Sequence, residues 1–262
     1  MKMSYFPGCT LKNKATDLDV YARKSAEALG VTLEEIKDWQ CCGGVFTSSA
    51  DEVATKLSSV RVLSAAAEKE QSLVTVCSAC HNVVKQTNHA IQTNKEFADK
   101  VNRYMQTTPY TGETEVYHYL EMLRDVVGFE NLKKAVVNPL KGKKIAAYYG
   151  CLLLRPGKVL QMDDPENPQI MENFIRAIGA EPVIYANRNE CCGGYVTMEN
   201  PEFAKKKSLS VAENAKKQGA EMIVTACPLC MYNLKKSNAD IPVVYFTEIL
   251  AEALGIKEGT NE

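Results

Sequence analysis

The chain has 262 residues, 45% of them hydrophobic, and a formal net charge of −1, values that fit a globular protein with a substantial core. The balanced charge argues against a nucleic-acid-binding protein, which would usually have a strongly basic surface. The first residues lack the apolar core of a signal peptide, and no run is long and apolar enough to span a membrane. We therefore predict a soluble, cytoplasmic protein.

Short apolar segments alternate with helical patterns along the chain. The first predicted strand ends at Gly8-Cys9, and the segments 73–76 and 223–226 are continuously apolar, as expected for strands covered on both faces. Helices are predicted at 17–29, 51–71, 167–178 and 201–218. Alternating strands and helices indicate βαβ units and a parallel sheet, so we predict an α/β fold.

The same pattern occurs twice in the sequence. We predict a first domain at 1–137, a linker at about 138–142 and a second domain at 143–262, because the linker contains the Pro, Gly and Lys residues typical of a connection. Near the end of each copy a strand precedes a helix. Aligning 116–118 with 244–246 makes Phe246 the counterpart of His118.

All ten cysteines belong to the repeat. Each copy has a Gly-Cys, then Cys-Cys-Gly-Gly, then Cys-x-x-Cys, with 36 residues from the tandem to the pair in both copies. The first set is Cys9, Cys41, Cys42, Cys77 and Cys80, and the second set is Cys151, Cys191, Cys192, Cys227 and Cys230. Thiols stay reduced in the cytoplasm, so the pattern indicates metal binding or catalysis rather than structural disulfides.

The cysteines of each copy are expected to meet at one edge of a sheet. Several of them follow predicted strands, and ligands bind at the carboxyl ends of parallel strands. A Cys-x-x-Cys at a strand-to-helix turn places two sulfurs near the positive end of the helix, which favours thiolates. Both sulfurs of the tandem can reach one centre only if the backbone turns sharply, and the Gly-Gly that follows permits such a turn.

Four kinds of thiol chemistry compete for this pattern. A structural zinc ion takes four ligands, which would leave one cysteine of each copy unused. Disulfides are disfavoured in a reducing compartment, and a thioredoxin-type Cys-x-x-Cys would explain only four of the ten cysteines. Iron–sulfur clusters suit all-thiolate sites. A cubane also needs four thiolates, so five indicate either one free thiol or a larger, unusual cluster.

The two cysteine sets resemble the CCG domain, and the chain from Ser4 to Gly255 resembles the family of B-type subunits of heterodisulfide reductase. The resemblance implies that each set of five cysteines holds one noncubane [4Fe-4S] cluster. It also implies a catalytic subunit that reduces a mixed disulfide to two thiols at these two clusters. The disulfide of the family is that of coenzyme M and coenzyme B, which belongs to methanogens.

The electrons are expected to come from other proteins. The sequence has no Gly-x-Gly-x-x-Gly after a predicted strand and no ferredoxin-type cysteine run. The resemblance implies two partners within a heterodisulfide reductase complex, a ferredoxin-type iron–sulfur protein and a flavoprotein. CCG domains also occur in lactate-utilisation, glycerol-3-phosphate dehydrogenase and thiol:fumarate reductase systems. An electron-transfer protein of such a complex, without disulfide chemistry, is therefore the alternative.

Four basic residues are candidates for binding an anionic substrate. Lys12 and Lys14 follow the first cysteine of the first copy, and Arg155 and Lys158 follow that of the second at similar offsets. We predict that some of these side chains line the substrate entrance near the clusters. The alternative is that all four are solvated loop charges.

Overall fold

The computed structural model describes residues 1–44, 51, 53–105 and 108–256, which form two four-stranded parallel sheets. The first sheet has the order β2-β1-β3-β4 and the second β6-β5-β7-β8. The strands are β1 (Lys2–Phe6), β2 (Thr32–Glu35), β3 (Leu73–Thr75), β4 (Val116–His118), β5 (Lys144–Tyr148), β6 (Glu181–Val183), β7 (Met222–Thr225) and β8 (Val243–Tyr245). The predicted α/β fold with two parallel-sheet repeats is confirmed.

Helices cover both sheets, and no helix of the described residues is both long and apolar enough to cross a membrane. The α-helices are α1 (Cys9–Asn13), α2 (Thr16–Ala28), α3 (Leu57–Ala67), α4 (Ser78–Thr93), α5 (Lys95–Met105), α6 (Tyr119–Glu121), α7 (Phe129–Ala135), α8 (Gly157–Leu160), α9 (Ile170–Ala177), α10 (Pro201–Lys217), α11 (Pro228–Lys236) and α12 (Phe246–Ala253). A π-helix (Met122–Val127) follows α6, and 3-10 turns lie at Ala54–Lys56, Ala186–Asn189 and Gly194–Val196.

The predicted helices are present with shifted ends. The segment predicted at 51–71 is a 3-10 turn followed by α3, and its residue 52 lies outside the described residues. The last six residues of the predicted second domain, 257–262, also lie outside them. In the helix predicted at 201–218, Asn200 caps the N-terminus by accepting a hydrogen bond from the backbone N–H of Phe203.

Both sheets reverse their strand order at the same place. β1 lies between β2 and β3, and β5 lies between β6 and β7, so consecutive connections leave the central strand on opposite sides. This reversal opens a crevice at the carboxyl ends of the strands, where ligands of such sheets bind. β1 and β5 are buried over four successive residues, which agrees with sheets covered on both faces.

The pairing of strands corrects one sequence alignment. Thr75 pairs with His118, and its counterpart Thr225 pairs with Tyr245. The counterpart of His118 is therefore Tyr245, and the predicted match with Phe246 is wrong by one residue. Both true counterparts cap the helix that follows and share a capping box with a glutamate. In a strand, a slip of one residue exchanges the two faces, so the correction changes which side chains are equivalent.

The two halves pack into each other. α12 of the second half packs against α2, while α6 and α7 of the first half pack against α9. The Phe246 ring lies 5.6 Å from that of Tyr119 and 6.2 Å from that of Phe174, joining both halves in one core. The end of each half therefore packs on the first long helix of the other. The domain boundary at 138–142, between α7 and β5, stays a prediction.

Candidate metal centres at the junction of the halves

The five thiols of the first half surround one cavity at the carboxyl edge of the first sheet. The cavity holds about 1030 Å³ of empty space, including its opening to solvent. The sulfurs of Cys9 and Cys41 are 3.5 Å apart, those of Cys42 and Cys80 are 3.4 Å apart, and Cys77 completes the lining. The thiols come from the ends of three adjacent strands, and the two nearest solvent are Cys9 and Cys41.

The five thiols of the second half surround a smaller cavity in the same way. It holds about 300 Å³ of empty space. The sulfurs of Cys192 and Cys230 are 3.6 Å apart, and the backbone N–H of Gly193 donates to the sulfur of Cys191 at 3.4 Å. Cys151 and Cys227 complete the lining. The structure thus brings together each set of five cysteines that the sequence spacing had grouped.

The glycine of each Gly-Cys lets a sulfur approach the backbone. A Cβ atom at Gly8 would lie 2.6 Å from the sulfur of Cys80, and one at Gly150 would lie 2.9 Å from that of Cys230. No larger residue fits at either position without moving a thiol. The sharp turn predicted after each tandem is also present, because the glycine that follows it has a positive φ in both copies.

The two thiol sets meet where the halves join. The thiols of Cys77 and Cys227 act on each other across the junction, and this interaction raises the pKa of Cys77 and lowers that of Cys227. The hydroxyl of Tyr245 lies 2.8 and 2.9 Å from the two backbone carbonyls that directly precede these cysteines. Ser78 donates to the second of these carbonyls through its hydroxyl at 2.7 Å and its N–H at 3.2 Å. The two cavities are therefore held side by side.

Further contacts across the junction complete the cavity walls. The hydroxyl of Tyr195 donates to the backbone carbonyl of Gly44 at 2.7 Å, linking the ends of the two Cys-Cys-Gly-Gly turns. Asn82 donates to two carbonyls of the loop after Cys151, and Leu229 lines both cavities. Sequence reasoning missed these residues. The available signal was that Tyr195 directly follows the second Cys-Cys-Gly-Gly.

Within each set, one thiol of a neighbouring pair ionises more easily and thereby opposes the ionisation of the other. A hydrogen bond from Cys41 lowers the pKa of Cys42 to about 4, and the same contact raises the pKa of Cys41. In the second half, a hydrogen bond from Cys151 lowers the pKa of Cys191 to about 2 and raises that of Cys151. Five adjacent thiols can therefore all ionise only beside positive charge, such as that of bound metal ions.

The four predicted cations lie in different surroundings. Lys14 lines the first-half cavity beside the thiols. Lys12 forms an ion pair with Glu35 at 3.0 Å. Arg155 donates to backbone carbonyls and to a carboxylate of its own half, and Lys158 lines a separate polar groove. Of these four, Lys14 is the one that the structure places in the wall of a thiol cavity.

The fold and the two thiol sets define a member of a known family. The model of the cysteine-rich domain, CCG, matches residues 3–85 and 145–235, and these ranges contain both sets of five cysteines. The chain belongs to the CCG cysteine-rich domain family.

Several known proteins resemble the chain over nearly its whole length. It is 31% identical to the 8-methylmenaquinol:fumarate reductase membrane anchor subunit of Wolinella succinogenes, over 97% of this chain and 93% of that protein. It is also 31% identical to a protein of Archaeoglobus profundus that is like the heterodisulfide reductase B-type subunit, over 97% of this chain and 91% of that protein. The B-type subunit of the ferredoxin:CoB-CoM heterodisulfide reductase of Methanosarcina mazei is 27% identical, over 97% and 89%. The predicted resemblance to this type of subunit is confirmed.

A solved structure shares the fold. A hypothetical protein from Helicobacter pylori matches 98% of this chain with a TM-score of 0.76 and 12% sequence identity. This chain covers 49% of that protein, so the arrangement of two sheets recurs within a longer chain.

Proposed function

We propose that the chain is an iron–sulfur subunit of an oxidoreductase and that each half holds one noncubane [4Fe-4S] cluster. The observation that supports this most is that each set of five thiols lines a single cavity. The ligands of the first cluster would be Cys9, Cys41, Cys42, Cys77 and Cys80, and those of the second Cys151, Cys191, Cys192, Cys227 and Cys230.

The arrangement of the thiols fits a cluster of several irons. Among residues 1–44, 51, 53–105 and 108–256, no three metal-ligating side chains converge closely enough for a single ion. The sulfurs are instead distributed in pairs around a cavity, which suits several metal ions better than one tetrahedral zinc. The mutual opposition of the thiols to ionisation also favours a cofactor with more than one positive ion.

We propose further that the protein reduces a mixed disulfide, of the coenzyme M–coenzyme B type, to two thiols. The reaction takes two electrons and two protons, and bound clusters supply electrons singly. Tyr245 and Ser78 hold the two thiol cavities side by side, and we propose that the disulfide binds between them with one sulfur toward each cluster. Lys14 supplies positive charge for an anionic end of the substrate. The roles predicted for Lys12, Arg155 and Lys158 stay predictions.

The partners follow from the need for electrons. We propose a ferredoxin-type protein and a flavoprotein as the source, and the name of the Methanosarcina relative supports the first of these. The cytoplasm is the proposed location. The Wolinella relative is named as a membrane anchor, so a complex at the membrane surface is the alternative.

A second candidate function is electron transfer to another acceptor, without disulfide chemistry. Its support is the 31% identity with a protein of a fumarate reductase, equal to that with the heterodisulfide reductase-like protein of Archaeoglobus. In that case the clusters would pass electrons onward and Lys14 would have no substrate to bind.

Turnover with a chemical reductant separates the two candidates. Anaerobically purified protein is mixed with reduced methyl viologen and the coenzyme M–coenzyme B disulfide, and dye oxidation is followed. We expect two dye molecules oxidised per disulfide cleaved. Lys14→Gln should raise KM several-fold with unchanged iron content, whereas Lys12→Gln, whose lysine pairs with Glu35, should not. Full cluster content without disulfide-dependent dye oxidation would favour the second candidate.

A further inference from the structure

The surroundings of the two thiol sets differ at two equivalent positions. In the edge strands, Glu34 pairs with Ser4, and Val183 pairs with Ala146 at the corresponding place in the second sheet. Ile36 and Tyr185 each lie two residues further along, so they are equivalent. Asn233 and Val83 are equivalent because each lies three residues after the last cysteine of its Cys-x-x-Cys. The second half therefore has a phenol and an amide where the first half has two aliphatic side chains.

Tyr185 is a buried hydroxyl without a protein partner. Its side chain is 3% exposed, and its Oη makes no hydrogen bond with any of the described residues. It packs in the same buried cluster as Cys192 and Cys230. Burial raises the pKa of its hydroxyl, and the charges that act on it are, in falling order, those of Glu172, Arg188 and Cys230. A buried hydroxyl costs folding free energy when nothing accepts its hydrogen, so this position indicates a partner that is supplied from outside the polypeptide.

Asn233 points its amide at the same thiol set. It is 4% exposed, and its Nδ2 lies 3.6 Å from the sulfur of Cys192. The same nitrogen donates to the hydroxyl of Thr197 at 3.0 Å and lies 3.4 Å from the backbone carbonyl of Cys192, and these contacts fix the orientation of the amide. Val83, at the equivalent place beside the first thiol set, is equally buried but has no hydrogen to donate.

We propose that Tyr185 and Asn233 are positioning residues that donate hydrogen bonds to the sulfur atoms of the second-half centre and raise its reduction potential. The inference rests on the iron–sulfur centres of the proposed function. Reduction adds negative charge to the sulfurs, and nearby donors stabilise that charge, because hydrogen bonds to sulfur help to set the potential of such centres. The first-half centre, beside Ile36 and Val83, lacks these two donors.

Solvent exposure acts in the opposite direction, because Cys9 and Cys41 of the first half are exposed and water also stabilises the reduced form. The difference in potential between the two centres therefore does not isolate the effect of the donors. Single substitutions isolate it, because each changes one hydrogen-bond donor and leaves the exposure of both sites unchanged.

The test is a redox titration of the anaerobic holoprotein, followed by electron paramagnetic resonance. Tyr185→Phe removes only a hydroxyl that has no protein partner, so the fold should be kept. At the midpoint potential of the wild type, we expect the reduced-to-oxidised ratio of one centre of this variant to be about tenfold lower. This corresponds to a fall of about 59 mV in the midpoint potential for a one-electron centre. Asn233→Val should lower the reduction potential of the same centre. The reciprocal Val83→Asn should raise the reduction potential of the other centre. Tyr119→Phe, which removes a buried hydroxyl bonded to Ala22, should shift neither.

Each outcome decides the matter when iron content is measured in every variant. Unchanged potentials in Tyr185→Phe at full iron content would overturn the inference and leave the proposed function standing. A loss of iron from Tyr185→Phe would also overturn it, because the hydroxyl would then be needed for binding rather than tuning. Wild-type protein without two redox centres would overturn both the inference and the proposed function.

Discussion

The hydroxyl of Tyr245 should hold the two halves together at the point where the thiol sets meet. It is fully buried, 2.8 Å from the carbonyl of Val76 and 2.9 Å from that of Ala226. Neither carbonyl depends on it alone, because His118 Nε2 lies 3.1 Å from the first and Ser78 Oγ donates to the second at 2.7 Å. One net hydrogen bond contributes about 0.5–1.5 kcal/mol, so Tyr245→Phe should lower the free energy of unfolding by about 1–2 kcal/mol.

The shared carbonyl makes the effect non-additive. Combining Tyr245→Phe with Ser78→Ala removes both hydroxyl groups from the Ala226 carbonyl and leaves the N–H of Ser78, at 3.2 Å. We expect the double variant to lose about 0.5–1 kcal/mol more than the sum of the single variants. The free energies come from equilibrium unfolding in urea, followed by circular dichroism.

Tyr119→Phe is the matched control for this cycle, because its hydroxyl bonds to Ala22 within the first half. Tyr119→Phe should lower the free energy of unfolding by about 1 kcal/mol, and this loss should add to that of Ser78→Ala without coupling. The reasoning is refuted if Tyr245→Phe is as stable as the wild type, or if its effect adds to that of Ser78→Ala without coupling.

Two further pairs of variants, each with a control, test the site and the core. Gly8→Ala places a Cβ 2.6 Å from the sulfur of Cys80, so the variant should lose the iron of one half. The control Gly30→Ala has the same φ of +79° but open space around the Cβ, so it should keep all its iron. Iron analysis of both variants measures the difference. Burial lowers the pKa of His118 to about 3 from 6.5, so the ring stays neutral in the folded protein while the unfolded chain gains a proton, and stability falls as pH drops through this window. Between pH 6.5 and 5, the wild type should lose about 2 kcal/mol more unfolding free energy than His118→Asn. The exposed His89→Asn should keep the wild-type pH dependence, and equal slopes for all three proteins would contradict this account.

Cysteine spacing was enough to predict which thiols share a cavity. Each set follows the ends of three neighbouring strands of one sheet, and parallel strands bring the residues after their carboxyl ends to one edge. The partner of His118 was predicted wrongly because Val-Tyr occurs in both copies in different registers, and only the hydrogen bonds of the sheet distinguish them. The bond from Tyr195 to Gly44 could not be predicted, because it depends on how the two halves pack.

Similar offsets from a cysteine were a poor guide to the position of the cations. After β1 the chain enters α1 at Cys9 itself, and Lys14 follows that helix directly into the cavity wall. After β5 the residues from Cys151 form turns before α8 begins at Gly157. The basic residues of the second copy are therefore carried to a loop and to a different groove.

Iron and acid-labile sulfide in anaerobically purified protein test the central claim most directly. Two [4Fe-4S] clusters predict about eight irons and about eight sulfides per chain. Replacing both Cys41 and Cys42 by alanine should halve both values and leave the centre of the second half intact. Two zinc ions per chain without sulfide, or protein with no bound metal and ten titratable thiols, would contradict the account.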